Sequence, residues 1–468
     1  MTAPSNSTGE VNAQAGGAEN YGLRAGALGP VETLAQSVSA MAPSTSPSLT
    51  IPLVFALAGN ATWFVYLMAT GAILLVGFCV SRFARLSASP GSLYTYTAST
   101  LPPFFGVTAA WALLLAYLGT GASVAGGALY YANLFSQQLF HVATPALPCL
   151  AVVCAVAGLV AYRDVKLSAE LMLWIEVFSV SFILIVLAVL VFRFGFQFDW
   201  DQFKLKGVSV SALGPALVLS MFSFVGFEAA TTLGGEAREP LKTIPRAVLQ
   251  CAILAGFFFM LCSYSEVLGF RGQPSQLSDS TSPLHLLATK AGISPLGVAI
   301  DFGAMVSMFA CVLACATAAA RVLMRMAHSG LLPAALERTN KRHHTPGTAV
   351  AMAVVLMFSA TAVLALFGVE GSAMYDLMGS LAVFGFLTVY ALVALALPFA
   401  RRALGQHSHA VAIVSVFTVV VLILIAVFDL RSSSDAVHAR IPYIYLGYIV
   451  AGIGWYGLRR KKAVSLAD

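Results

Sequence analysis

Residues 211–248 read SALGPALVLSMFSFVGFEAATTLGGEAREPLKTIPRAV. The stretch opens as an apolar helix, is interrupted near its middle, and ends in a charged turn. The interruption is Phe222-Ser223-Phe224-Val225-Gly226-Phe227-Glu228. Gly226 weakens a helix at that point. Glu228 is a carboxylate among apolar neighbours at bilayer depth, a costly placement without a partner or water. Irregular backbone inside a bilayer is tolerated only where protein encloses it around a cavity. The interrupted span is therefore a binding-site candidate. A kinked helix whose Glu caps neighbouring backbone is the plainer alternative.

The rest of the chain sets the class. Of 468 residues, 59% are hydrophobic and 10% charged, against about 25% charged in soluble domains. This composition predicts an all-α polytopic membrane protein whose partner is the lipid bilayer. The net charge of +6 is no nucleic-acid signal, because the basic residues sit in loops beside apolar stretches. All seven cysteines fall inside expected spans without metal spacing, so they read as free thiols, with no metal site and no cofactor. The eight histidines lie in loops or near span ends, which argues against a histidine proton relay in the core. Residues 1–30 are polar and lack a basic segment followed by a short apolar one. They read as a disordered cytoplasmic tail and not a signal peptide. A single transmembrane domain over 31–462 and a short tail at 463–468 complete the expected organisation.

About twelve stretches are long enough to cross a bilayer. They lie near 33–57, 62–82, 105–135, 143–162, 169–192, 211–235, 245–269, 294–326, 347–368, 374–399, 409–429 and 441–459. With the N-terminus cytoplasmic, 19 of the 26 Lys and Arg residues fall on the inner side and 7 on the outer. The positive-inside rule then places both termini in the cytoplasm.

The first span is the second unusual one. Residues 37–52 read SVSAMAPSTSPSLTIP, with Pro43, Pro47 and Pro52. Proline removes a backbone donor and breaks the helical ladder. A break is expected around Pro43, Ser44, Thr45, Ser46 and Pro47; a kink healed by Ser and Thr side chains is the alternative. The first and sixth spans thus hold matching positions in two halves, about 33–192 and about 211–399. That pairing points to a 5+5 inverted repeat with its site at the midplane, followed by two extra helices at about 409–459. Gly119, Gly121, Gly126 and Gly127 in the third span read as close helix packing.

Four segments carry a family resemblance: PSTSPSLTIP in the first span, ASPGSLYTYTAST at 88–100, FSFVGFEAATTLGGEAREPLKTIPRA at 222–247, and ATAAARVLMRMAHSGLLPAALERTNKRHHTPGTAV at 316–350. With the span count, the chain resembles the amino acid–polyamine–organocation (APC) superfamily of permeases. Where family members often carry glycines in the first-span break, this chain has Thr45-Ser46-Pro47. The resemblance implies substrate binding at Pro43–Pro47 and at Phe222, Ser223, Phe224, Val225 and Gly226. There the substrate carboxylate would meet free amides and its ammonium free carbonyls, matching the partial charges of helix ends. It also implies that Phe222 is an aromatic gate, and that Tyr94 and Glu228 belong to an inner gate. The loop 234–247 would lie along the inner face and carry gate salt bridges.

Glu176, in the apolar fifth span, stands about where similar permeases carry a lysine linked to proton coupling. Burial disfavours the charged form of a carboxylate, so Glu176 is a candidate proton-coupling residue, with Glu228 a second. A Glu bonded to backbone or reaching inner water is the plain alternative for Glu176. Asp301, near the outer end of the eighth span, could line an outer vestibule or reach the headgroups, the latter being the plainer expectation; Glu266 and Asp376, also near outer ends, are expected to be solvated. Ser307 could line a cation site or bond its own backbone. No Lys or Arg faces inward in span centres, which argues against acidic substrates.

The function these features imply is a secondary active transporter, not an enzyme. It would import a small amino acid or related amine with protons across the plasma (bacterial inner) membrane. An exchanger on the same fold, and a transport-dead membrane sensor, are the alternatives. A channel filter and a nucleophile–base or metal cluster are not visible in the sequence.

Overall fold

A computed structural model describes residues 21–194, 198–280, 282–432 and 437–465. Of the expected tails at 1–30 and 463–468, residues 1–20 and 466–468 lie outside them. Among the described residues every regular element is helical. Ten segments are long and apolar enough to cross a membrane. The first, Pro30–Ala84 at 55 residues, holds two crossings, because Gly59 at φ 53° turns the chain between Ile51–Ala58 and Thr62–Ala84. The helix Val210–Phe222, at 13 residues, is too short to cross alone and continues as irregular backbone. These are the first, second and sixth of the twelve expected spans. The others are Pro103–Phe140, Ala146–Arg163, Val165–Phe194, Pro240–Gly269, Ser294–His328, Gly347–Leu366, Gly371–Ala403, His409–Ser432 and Ile441–Ser465.

Small residues decide how closely the spans approach. A β-carbon on Gly126 would stand 2.6 Å from the Met374 β-carbon and 3.0 Å from the Gly371 carbonyl oxygen. One on Gly371 would stand 2.5 Å from the Gly126 carbonyl oxygen. The third and tenth spans therefore meet backbone to backbone, as small-residue contacts in membranes permit. All seven cysteines are free, and all but Cys149 are buried.

We call the side bearing residue 21 the inner side. Composition places residues 21–29 in the tail, yet they lie as a strap across three inner loops. The Leu28 amide donates to the Glu236 carbonyl (3.1 Å), and the Arg238 amide donates to the Leu28 carbonyl (2.7 Å). Arg24 pairs with Asp164 at 3.4 Å. Arg325 sits over the Tyr21 ring, and Tyr21 meets the His328 ring edge-on. Leu28 is fully buried beneath this crossing.

Candidate functional site

The two breaks face each other. In the first span the helix stops at Met41, and Ala42 takes a left-handed conformation at φ 47°. Ala42–Ser44 is irregular, Thr45 is already helical at φ −66°, and a π-helical turn starts at Ser46. Pro43 and Ser44 thus lie in the break, with Thr45 at its edge. Ser46 and Pro47 open the next helical turn instead, because a proline is tolerated in a first turn, where its missing amide has no helical acceptor. In the sixth span the helix ends at Phe222 and gives way to tight turns, in which Phe224 donates to Met221 and Val225 to Phe222 through backbone. Gly226 sits at φ 94°, and a β-carbon there would stand 2.6 Å from the Ala40 carbonyl oxygen. Glycine is required twice over at this position, by conformation and by contact. The Ala230 amide donates to Ser37 Oγ at 2.9 Å, a second link between the spans.

Above the breaks, on the outer side, the Phe222 ring packs edge-on against Tyr375, with centroids 5.3 Å apart, and covers Gly379. Tyr375 is fixed by Thr50 Oγ1 (3.0 Å), and Ser123 Oγ donates to its carbonyl (2.5 Å). Phe222 therefore packs into a cluster with residues of the first, third and tenth spans. Ser223 bonds the Tyr66 hydroxyl at 3.1 Å. Phe224 turns away and packs on Phe259 and Tyr66.

Below the breaks, Glu228 is fully buried and takes a phenol on each oxygen. Tyr117 donates to Oε1 at 2.9 Å, and Tyr390 donates to Oε2 at 2.5 Å. Further inward, Arg321 grips Glu236 in a two-pronged bond at 2.6 and 2.7 Å and donates to the Thr317 carbonyl. Ser92, at the start of the short helix Ser92–Ala98, bonds Thr231. Tyr94 of the same helix lies towards Ser329 and Arg325 at the inner end. The phenols that meet Glu228 thus come from Tyr117 and Tyr390, and Tyr94 belongs to a lower layer.

Glu176 is 4% exposed. Ser307 donates to it at 2.9 and 3.1 Å, so this serine turns its hydroxyl to Glu176 and not to its own backbone. One turn along the fifth span, Ser179 shares a 2.5 Å bond with Ser44 of the first-span break. Cys311 of the eighth span donates its thiol to the Ala40 carbonyl at 3.1 Å.

Three sequence expectations differ from the structure. Asp301 does not reach headgroups: it is 1% exposed, accepts from Ser282 at 2.5 Å, and pairs with His285 at 2.6 Å. Both partners lie in or beside the outer loop helix Pro283–Lys290, which covers it. The bond from Asp301 holds the His285 imidazole above its ordinary pKa, against partial burial. Glu266 is not solvated but fully buried, with neither carboxylate oxygen hydrogen-bonded. Arg321, about two turns before the eighth span's inner end, faces inward and is buried, although no such basic residue was expected. Sequence reasoning also missed Tyr117, Tyr390 and Ser179. The signal available was a tyrosine in an apolar span, whose hydroxyl needs a partner when buried.

The chain is similar in sequence and in fold to known transporters. The amino acid permease family model matches residues 28–451. An uncharacterised transporter from Mycobacterium tuberculosis is 30% identical over 413 residues, covering 84% of each chain. The branched-chain amino acid permease of Bacillus subtilis is 24% identical, over 62% of this chain and 64% of that one. The low-affinity putrescine importer of Escherichia coli is 27% identical, over 57% and 59%. A manganese transporter structure from Eremococcus coleocola superposes with a TM-score of 0.59 at 12% identity, covering 92% of this chain and 94% of that one, a likeness of fold alone. Family and relatives are transporters, not enzymes, and support a transporter for amino acids or amines.

Proposed function

The chain belongs to the amino acid permease family, and from that premise we propose that it imports a small amino acid or related amine by proton symport. It would act in the plasma membrane with both termini cytoplasmic. Substrate would sit between the two breaks, contacted by Pro43–Pro47 and by Phe222–Gly226. Phe222 would form the outer lid. Tyr94 and Glu228 would belong to the inner seal. Glu176 would carry the coupling proton, while Glu228, satisfied by two phenols, would hold the inner seal together.

One observation carries the proposal. Glu176 bonds Ser307 of the eighth span, and one turn away Ser179 bonds Ser44 of the first-span break. A charged Glu176 holds Ser307 as a donor; a protonated one becomes a donor itself and rearranges that contact. Protonation is thereby coupled to the fit of the fifth span against the substrate-binding break. The substrate class is supported by the relatives named for branched-chain amino acids and putrescine.

The test is uptake by purified protein in liposomes. Labelled alanine, leucine, arginine and putrescine are offered with and without an inward proton gradient, to empty and preloaded vesicles. Symport predicts gradient-driven accumulation into empty vesicles, lost in Glu176→Gln while downhill exchange survives. Uptake confined to preloaded vesicles would replace symport with exchange. Undiminished gradient dependence in Glu176→Gln would remove that residue from the coupling role.

A further inference from the structure

Cys311 and Cys315 lie in the sequence CVLAC of the eighth span. A helix sets residues four apart on one face, and here the two sulfurs stand 3.9 Å apart. Among the described residues no other two thiols are hydrogen-bonded to each other. Both side chains are buried.

The first span runs along this pair. The Cys311 thiol donates to the Ala40 carbonyl at 3.1 Å, and Gln36 Nε2 donates to the Ala314 carbonyl at 2.9 Å. The Ala40 carbonyl oxygen is also the atom that a β-carbon on Gly226 would meet at 2.6 Å. Cys311 therefore bonds the point where the two broken spans touch. A third sulfur comes from the ninth span. Met357 Sδ and the Cys315 β-carbon stand 2.6 and 3.2 Å from where a β-carbon on Gly121 would lie, so the two are neighbours.

We propose that Cys311 and Cys315, with Met357 beside them, bind one soft monovalent metal ion of the Ag+ or Cu+ type, and that the bound ion arrests transport. The site itself is independent of the transport reading above; only the arrest rests on it. Thiolate and thioether donors select soft ions. Metal–sulfur bonds are about 2.3 Å in zinc sites, so one ion can bridge sulfurs up to ~4.6 Å apart. The 3.9 Å separation lies inside that reach. Charge favours the monovalent ion. One sulfur binds as a thiolate, and its proton leaves to water. The second thiol and the thioether donate lone pairs and lose nothing. The ion and the single thiolate cancel, so the complex is neutral, as apolar surroundings demand. Zinc takes about four ligands, and among the described residues no group of three or more His, Cys, Asp or Glu could hold it. An ion seated between the sulfurs draws Cys311 away from Ala40, and the meeting point of the two breaks loses that tie.

Silver nitrate in chloride-free buffer is the probe. Purified protein is loaded with silver, desalted, and titrated with glutathione, which offers one thiol per molecule; the silver still bound is measured by elemental analysis. Uptake of alanine, leucine, arginine and putrescine into liposomes is followed with and without silver. Two thiols on one rigid helix hold an ion as a linked pair, so stripping wild type should take ~10-fold or more glutathione than stripping Cys311→Ser or Cys315→Ser. Met357→Leu should fall between them. Cys149→Ser and Cys154→Ser, in the fourth span, should match wild type. Silver should abolish uptake by wild type and spare both pair variants. If Cys311→Ser does not fold, Cys315→Ala is read by the same titration. Equal stripping of wild type and a folded pair variant would overturn the site. Silver held by the pair with uptake undiminished would overturn the arrest. Wild-type protein inert to all four substrates without silver would overturn the transport reading and the arrest with it, while the titration alone would decide the site.

Discussion

Glu228 and Glu176 are both buried carboxylates beside a broken span, and they are held in opposite ways. Glu228 receives one phenol on each oxygen, from the third and tenth spans. Glu176 receives a single serine hydroxyl shared across both. Charge-assisted bonds from two separate helices fix a carboxylate in place and tie those helices together. One hydroxyl from one neighbouring helix ties Glu176 to the eighth span alone. The number and origin of the donors, not depth in the bilayer, is what distinguishes the two acids, and the proposed roles of Glu176 in coupling and Glu228 in the inner seal rest on that difference.

The comparison can be broken at several points. The top of the scale is the inner ion pair: Arg321→Met leaves Glu236 as a buried unpaired charge and should cost ~3–5 kcal/mol, read as a lower unfolding midpoint in detergent. Tyr117→Phe and Tyr390→Phe should each cost ~1.5–3 kcal/mol. Because the two phenols share one acceptor, the double variant should depart from additivity, and strict additivity would mean that Glu228 is not their common tie. Glu176→Gln should fall within ~1 kcal/mol of wild type while losing gradient dependence. A loss of stability equal to that of Tyr117→Phe would erase the distinction between the two acids.

The smallest effect is at the outer loop helix. His285 has its pKa raised above the ordinary 6.5 by Asp301. Its contribution is therefore complete below about pH 6.5 and is lost as pH rises through the higher folded-state value. The imidazole is partly exposed, so solvent screening limits the effect to ~1 kcal/mol or less. Thermal midpoints should drift down across that window in wild type, and His285→Asn should flatten the drift. An unchanged slope in the variant would assign the drift to another group.

What was legible in the sequence is what backbone chemistry writes locally. Pro43 and Gly226 each stand where the helix gives way, so both breaks could be located before any coordinates. The partners of Glu228 are 111 and 162 residues away, and no local pattern encodes such a pairing. Depth counted from span ends misjudged Asp301, because that count ignores the outer loop helix packed over the eighth span. Arg321 escaped for a related reason: two turns from a span end, snorkelling to water and turning inward to Glu236 look alike in sequence.

The strap at residues 21–29 has a consequence for biosynthesis. It leaves the ribosome before the groups that hold it: Asp164, the 236–238 segment, the Arg325 and His328 end of the eighth span, and His344 beyond that span. Since chains are made from the N-terminus onward, the strap gains its anchors in steps, and the set is complete only after the eighth span. A nascent chain halted before the eighth span would carry both broken helices with the inner strap only partly fastened.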